Sequence, residues 1–395
     1  MYFLRLLIFF PSITFGLSTT EVFPYAGLYS AVTLKRLRLG LFLILGLLFV
    51  SILYGTYRHN SFEFIEVFRS LLAYLNPLLV FIAILRVSRR ELWLLHKMTI
   101  SLLYFLFILG LLQLSGLISI LDGIFSALVP RSSAEGMGFR GVTLLSTEPA
   151  RAGIELAFLY FYARRFYIPY NKRLMYDLIA LAYSLLVFKS ATVFFLLMSF
   201  LSIAHFRIAL ITFPILIILI GLAINFFDNR IIQLLNDIWQ LPIDESLWLI
   251  MNTSGNRVIS IYAAVVYAMH NFFGGGIGFW KISSVEAIEL TNIDYMSLNY
   301  FKLILAETGS LSYRCSGYLT NLLMDTGFGG IASVLIYLLS EIRKSTGSLW
   351  NLIRKEPAFF VIFLLNISIV GSVGAPVPWV IAAIYLRALA FEAKS

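Results

Sequence analysis

The sequence predicts an all-α polytopic integral membrane protein of about 12 transmembrane helices, with a large non-cytoplasmic loop that bears amphipathic helices. Of its 395 residues, 60% are hydrophobic and only 13% are charged, and the mean hydropathy is +0.88. A chain of this composition has too few polar side chains to cover a soluble globule, so lipid is its predicted solvent. Apolar runs of about 20 residues, the length that crosses a hydrocarbon core of about 30 Å, recur along it.

Continuous apolar runs such as Leu39–Tyr57 and Met98–Leu121 indicate helices, whereas a membrane barrel would show alternating strands. The first run contains Pro11, has almost no charged start and lacks a clear cleavage site, so it predicts a membrane segment rather than a signal peptide. The single cysteine, Cys315, excludes an intrachain disulfide. Residues 1–395 are thus predicted to form a single membrane domain with segments at 2–17, 22–34, 39–57, 65–86, 98–121, 148–163, 174–188, 190–206, 208–226, 317–340, 358–372 and 376–392.

The cations of the short connections predict the orientation. Because Lys and Arg favour cytoplasmic loops, the alternate connections that carry them, and both termini, are predicted to face the cytoplasm. Two long loops, 122–147 and 227–316, then lie on the other side. In the second loop, 230–239 and 257–269 place apolar residues at helical spacing, which predicts amphipathic helices along the membrane surface. No soluble segment carries a basic stripe with interleaved aromatics, so no nucleic-acid partner is predicted.

Five cations lie at or near predicted membrane boundaries on the non-cytoplasmic side. One interpretation is that each extends to lipid headgroups. The other is that together they bind an anion such as the diphosphate of a polyprenyl carrier, whose oxygens guanidinium groups bind bidentately. For the lysine, a tight turn is an equally simple explanation. The five are Arg140, Arg151, Lys189, Arg257 and Arg314.

Two further features suggest chemistry. Glu148 precedes Pro149 at a helix start, where it can act as a general base or can serve as a salt bridge and first-turn cap. His270 precedes the glycine run Gly274–Gly278, whose amides are a candidate phosphate cradle although their spacing matches neither the Walker nor the dinucleotide motif. Asp-x-Asp, the usual metal-diphosphate handle of soluble sugar-nucleotide transferases, is absent from the outer loops. A metal-independent reaction without a cofactor is therefore predicted.

From about residue 140 to 335, the order of these features resembles the O-antigen polymerase and ligase superfamily of bacterial polysaccharide assembly, the Wzy-like and related proteins. Three departures stand out: Ser316 lies where the ligases usually carry histidine, Asn271 replaces a proline, and Lys189 replaces an arginine. The first departure favours a polymerase. The four pieces that carry the resemblance are Arg140 to Pro149, Lys189-Ser190 opening an apolar helix, Gly255-Asn256-Arg257 followed by His270 and the glycine run, and Gly317–Gly327 with Asp325.

The resemblance implies an O-antigen polymerase of the bacterial inner membrane, a glycosyltransferase acting at the periplasmic face. Its substrates would be undecaprenyl-diphosphate-linked oligosaccharides, and a chain-length regulator is a candidate partner. Two alternatives stay open: a ligase that transfers the same donor to a lipid A core, and a non-enzymatic transporter of lipid-linked oligosaccharide. We assign diphosphate binding first to Arg140, Lys189 and Arg257 and second to Arg151 and Arg314, and the catalytic base first to Glu148 and second to His270.

Overall fold

The computed structural model describes residues 2–13, 23–34, 39–129, 132, 141–206, 237, 240–253, 257–347 and 349–392. Within these ranges the regular elements are helices and no strand occurs, as the sequence predicts. The α-helices are α1 Tyr2–Leu7, α2 Pro24–Thr33, α3 Leu39–His59, α4 Phe64–Leu85, α5 Arg89–Leu114, α6 Asp122–Leu128, α7 Pro149–Phe166, α8 Arg173–Tyr183, α9 Ala191–Ala204, α10 Ile243–Thr253, α11 Arg257–His270, α12 Trp280–Glu289, α13 Asn299–Thr308, α14 Tyr318–Thr346, α15 Leu349–Lys355, α16 Pro357–Leu365 and α17 Val377–Glu392.

Four helices, α3, α4, α5 and α14, are long and apolar enough to cross a membrane by length and composition. Their apolar side chains are only partly covered by protein. On α3, for example, Leu43 is 67% exposed, Phe49 59% and Val50 63%, while Leu41 and Leu48 are buried in the bundle core. A continuous apolar surface of this kind suits lipid and would promote aggregation in water. The helices therefore fit a membrane-embedded protein.

Several of the other predicted segments are shorter or interrupted. The predicted segment 2–17 begins with only six helical residues in α1 and then turns, because Pro11 lacks the amide hydrogen that a continuing helix needs. α8 and α16 each end in a π-helical turn, Ser184–Phe188 and Asn366–Val370. Such turns widen a helix and often occur at functional sites. The predicted segment 208–226 lies outside the described residues.

The predicted segment 98–121 is displaced toward the N-terminus. α5 begins at Arg89, nine residues earlier than expected, because the hydroxyl of Ser88 caps it by accepting a hydrogen bond from the amide of Glu91 at 3.3 Å. The predicted connection between segments 65–86 and 98–121 is therefore mostly helical. Its charged residues extend the first turns of a helix that also spans the apolar core.

Arg58 pairs with Glu286, and Lys281 pairs with Glu63 and Glu66, which joins α3 and the start of α4 to α12. Another set of ion pairs between helices lies at one end of the bundle. Their cations come from the connections that the sequence assigns to the cytoplasm and from α1. Pairing of this kind requires that the alternate connections meet at the same end, as the predicted orientation demands. The pairs are Arg5 with Glu91, Arg86 with Glu341, Arg164 with Asp177, and Arg165 with both Glu356 and Glu392.

The described part of the long loop forms a small helical layer at the opposite end. The amphipathic helix predicted at 257–269 is confirmed as α11, whereas most of the one predicted at 230–239 lies outside the described residues. α11 packs against α12 and the first half of α14, and Tyr267, Phe301 and Tyr313 help to form a separate core there. This layer, built from α10 to α13, is called the loop layer below.

The glycine run joins the loop layer to the bundle. The amides of Gly275 and Gly276 donate hydrogen bonds to the carbonyls of Met324 and Asp325, at 2.9 and 2.8 Å. These two carbonyls lie just before Gly327, where a φ of 66° and ψ of −165° break the helical geometry of α14. The two amides are thus used within the protein and are not available to cradle a phosphate.

Candidate functional site

A pocket of about 200 Å³ lies at the end of the bundle that carries the loop layer. Four segments that are distant in sequence bound it: the first turns of α7, the start of α11, the stretch before α14, and the connection between α16 and α17. We call it the cationic pocket. Its charged and polar lining includes Glu148, Arg151, Glu155, Arg257, Arg314, Ser316, Asn366 and Ser372. Four of the seven residues assigned to the site from sequence are therefore brought together.

α7 contributes three charged residues along one face. Pro149 occupies its first position, where a fixed φ favours helix initiation, and Glu148 precedes it in an extended conformation. Arg151 and Glu155 follow Glu148 by three and seven positions, a spacing that keeps them on the same face. At 1.5 Å per residue, Glu155 lies about 10 Å further along the helix than Glu148. Glu148 is exposed at the mouth of the pocket, whereas Glu155 is only 8% exposed.

Glu148 does not cap α7 with its side chain, so one of its alternative structural roles is not realised. Its carboxylate instead acts electrostatically on Arg257, the first residue of α11. The predicted site residue Arg140 lies outside the described residues. Among the described partners, Glu148 thus contributes charge at the pocket mouth rather than a fixed helix cap.

Arg257 is held by a hydroxyl. Its Nη1 donates to Oγ1 of Thr192, in the first turn of α9. Burial lowers the pKa of the Arg257 guanidinium from its ordinary value, and the negative charge of Glu148 acts against that shift. A guanidinium nevertheless remains charged in proteins. The pocket therefore contains a permanent positive charge that is largely withdrawn from solvent.

The other two arginines contact hydroxyls and aromatic rings. Arg151 donates to Oγ1 of Thr147 at 3.3 Å, and its guanidinium carbon lies 5.7 Å from the ring centre of Phe23. Arg314 donates to Oγ of Ser70 at 2.7 Å and lies 4.9 Å from the ring centre of Trp280. These contacts fix the orientation of both guanidinium groups.

The contrast with other arginines of this protein is informative. Carboxylates lie directly against Arg58 and Arg86, with Glu286 at 2.9 Å and Glu341 at 2.6 Å. Within the described ranges, by contrast, neither Arg151 nor Arg257 has a carboxylate at ion-pair distance, and each donates to a threonine hydroxyl instead. Because a charge held away from water is costly without a counter-charge, these two arginines favour an anionic ligand.

The floor of the cationic pocket has a different chemistry. Three oxygen atoms of its lining residues are buried and accept or donate no hydrogen bond among the described residues. They are Oε1 of Glu155, Oδ1 of Asn366 and Oγ of Ser372. Buried polar atoms are nearly always hydrogen-bonded in folded proteins, so three unpaired ones at one place indicate a polar ligand or bound water.

Lys189 and His270 do not line the pocket. Lys189 has a left-handed φ of 49° in the tight turn between the π-helical end of α8 and α9, so the predicted turn is confirmed. It lies three residues before Thr192, which binds Arg257. His270 is exposed at the far end of α11, about 20 Å along the helix from Arg257, and its Nδ1 lies 2.9 Å from the carbonyl of Val266. The structure thus separates His270 from the other candidate residues.

Sequence reasoning missed three residues of the pocket: Glu155, Asn366 and Ser372. For Glu155 a signal was present, since it repeats the helical spacing of Glu148 and Arg151 inside an apolar segment, where a carboxylate is expensive and often functional. Asn366 and Ser372 gave no such signal, because isolated amides and hydroxyls are common near helix ends. Only the folded chain brings them to Glu155.

The arrangement combines donors with acceptors. Three guanidinium groups supply hydrogen-bond donors and positive charge for a ligand with several anionic oxygens, such as a diphosphate. One exposed and one buried carboxylate supply groups that can accept a proton. No protein-family model, curated protein or solved structure matches this chain. The family resemblance therefore stays a prediction, and the geometry of the pocket carries the functional argument.

Proposed function

We propose that this protein is an O-antigen polymerase, an integral membrane glycosyltransferase that moves a growing glycan from undecaprenyl diphosphate onto another lipid-linked repeat unit. The observation that carries this proposal is the convergence of Arg151, Arg257 and Arg314 with two carboxylates in one pocket at an end of the bundle. The proposed setting is the bacterial inner membrane, with both termini in the cytoplasm and the pocket at the periplasmic surface.

The distribution of charge supports this orientation. The end opposite the cationic pocket carries the ion-paired connections rich in Lys and Arg, which favour the cytoplasm. The pocket then meets the periplasmic headgroup region. A diphosphate anchored by a polyprenyl chain lies at the same depth, because its chain is held in the hydrocarbon and its charges in the headgroup layer.

The proposed chemistry needs little beyond what the pocket contains. The leaving group is a lipid diphosphate, and fixed cations stabilise the charge that develops on it as the glycosidic carbon–oxygen bond breaks. Arg151, Arg257 and Arg314 are assigned this role. The acceptor hydroxyl must lose a proton, for which α7 offers the two carboxylates Glu148 and Glu155.

The lining of the pocket favours polymerase over ligase. The resemblance predicts histidine at position 316 for a ligase, and this chain has Ser316, which is part of the lining. No histidine is among the described residues that line the pocket. A transporter is favoured less, because transporters place their ionisable residues near the bilayer midplane, whereas these arginines lie at one end of the bundle.

The test is polysaccharide length in a strain that lacks the protein and is complemented with variants. Arg257→Ala is expected to leave single repeat units on the lipid core instead of long chains, with the protein still in the membrane. Loss of one preorganised donor to developing charge typically costs a factor of about 10² to 10³ in rate. Arg257→Lys keeps the charge but loses the bidentate contact, so an intermediate chain length is expected.

The matched control is Lys302→Ala, which removes an exposed cation of α13 in the loop layer, away from the pocket lining. It is expected to give the normal length distribution. Normal chains in Arg257→Ala and Arg151→Ala would refute the diphosphate site. Loss of every repeat unit from the lipid core on deletion of the protein would instead indicate a ligase or a transporter.

A further inference from the structure

The floor of the cationic pocket differs from its mouth in the kind of hydrogen-bonding group it presents. At the mouth, guanidinium groups are donors only. At the floor, the unpaired atoms of Glu155 and Asn366 are oxygens, and that of Ser372 is a hydroxyl. Glu155 and Asn366 are 8% and 2% exposed, so neither side chain can turn to bulk water for partners.

A diphosphate cannot supply the hydrogen bonds that these atoms of the pocket floor lack. An ionised diphosphate carries acceptor oxygens and negative charge, so it would be repelled by a carboxylate and would give Asn366 Oδ1 no proton. A saccharide suits it, because each hydroxyl donates one hydrogen bond and accepts others. The pocket thus has one half for an anion and another for hydroxyl groups.

We infer that Glu155, with Asn366 and Ser372, forms the acceptor subsite of the proposed polymerase, and that Glu155 is the catalytic base. This inference rests on the proposed function. Asn366 and Ser372 hold hydroxyls of the acceptor saccharide, and one hydroxyl donates to Oε1 of Glu155. The second carboxylate, Glu148, is exposed at the mouth beside Arg257 and takes no part in the proton transfer.

The step balances without a further reactant. The acceptor hydroxyl oxygen forms a bond to the anomeric carbon of the donor glycan as its proton passes to Oε1 of Glu155. The bond between that carbon and the diphosphate oxygen breaks, and its electron pair leaves with the lipid diphosphate. The products are the longer glycan, the free lipid diphosphate and a protonated Glu155, which returns its proton to water.

The positions of Arg151 and Glu155 along α7 suit a pocket with one half for an anion and another for hydroxyl groups. Arg151 and Glu155 are one turn apart on the same face, about 6 Å along the axis, and Arg151 acts electrostatically on Glu155. A reacting carbon between them has a cation on its leaving-group side and a proton acceptor on its attacking side. Both groups stand on one helix, which keeps their separation constant.

The burial of Glu155 also predicts its effect on stability. An unpaired carboxyl oxygen in a protein interior is destabilising, and proteins retain such groups mainly where function requires them. Glu155→Gln keeps the shape and removes the charge. We expect this variant to be as stable as the wild type or more stable, while it loses the ability to accept a proton.

The experiment compares Glu155→Gln, Arg257→Ala and the control Lys302→Ala by three measurements on the full-length protein. These are chain length in cells, binding of farnesyl diphosphate to the purified protein in detergent, and the thermal midpoint. Glu155→Gln is expected to bind the probe as the wild type does and to lose about 10²- to 10⁴-fold in polymerisation rate. Lys302→Ala, outside the pocket lining, is expected to keep making long chains and to bind the probe, and Arg257→Ala is expected to lose probe binding.

Two outcomes overturn the inference. One is a normal chain-length distribution in Glu155→Gln. The other is a lowered thermal midpoint in Glu155→Gln together with normal chains in both Asn366→Ala and Ser372→Ala, which would make the floor structural. Failure of the proposed function is a separate result: Arg257→Ala would then bind farnesyl diphosphate and polymerise normally, whatever Glu155→Gln does.

Discussion

Replacing Gly276 by alanine tests whether the glycine run holds the loop layer against the bundle. Gly276 has a φ of 96°, and a Cβ built there lies 2.4 Å from Cα of Gly55 on α3. Ordinary van der Waals contact begins at 3.4 Å, so the two segments must separate by about 1 Å. One atom is a main-chain Cα and the other is a Cβ bonded directly to the main chain, so no change of rotamer relieves the contact.

The expected loss of stability has two parts. A non-glycine residue in this backbone region costs about 1–3 kcal/mol. Insertion of a methyl group into a close-packed contact costs about another 1–3 kcal/mol. We therefore expect Gly276→Ala to lose about 2–6 kcal/mol, and to show a lower thermal midpoint and less folded protein in detergent.

Gly46→Ala is the matched control. Gly46 lies inside α3 on the same helix as Gly55, is exposed, and has no atom within 4 Å of a Cβ built there. Alanine is a better helix former than glycine by about 1 kcal/mol, so this variant should be slightly more stable. Equal midpoints for Gly276→Ala, Gly46→Ala and the wild type would refute the close-packing explanation of the glycine run.

Two further variants address the opposite end and the orientation. Arg86→Ala removes a guanidinium 2.6 Å from the fully buried Glu341 and should cost about 3 kcal/mol in a thermal unfolding series. The double variant Arg86→Ala/Glu341→Ala should recover much of that loss. Equal losses in the single and double variants would contradict a role for the pair. For orientation, Lys302→Cys in α13 should react with a membrane-impermeant maleimide added from the periplasmic side. Arg354→Cys in α15 should react only after the membrane is broken, and the buried Cys315 should give a low background. The reverse labelling pattern would mean the opposite topology.

The sequence predicted the helical class and the amphipathic helix α11 because both depend on local patterns of hydrophobicity. It was less successful with helix ends. Ser88 starts α5 nine residues early through a single capping hydroxyl, and Pro11 interrupts the first segment after a short helix. Averages of hydrophobicity over many residues do not detect such local hydrogen bonds. Four helices of the described residues have the length and composition to span a membrane, and the count of twelve segments stays a prediction.

Prediction of the site was uneven for a related reason. Arg151, Arg257, Arg314 and Glu148 were identified because charges at membrane boundaries are conspicuous, and all four line the pocket. His270 attracted attention through the glycine run beside it, yet α11 carries it away from Arg257. A helix separates residues along its axis by a fixed rise, so closeness in sequence order did not place them together.

The sequence by itself determined that the solvent of the protein is lipid and that its backbone is helical. Its hydropathy requires lipid, and lipid requires that each segment satisfy its own amides within a helix. The tertiary structure alone decided that α7, α11 and the connection between α16 and α17 share one pocket, with cations at the mouth and Glu155 at the floor. Such convergence depends on how separate helices pack, and side chains on different helices interact only after that packing has formed.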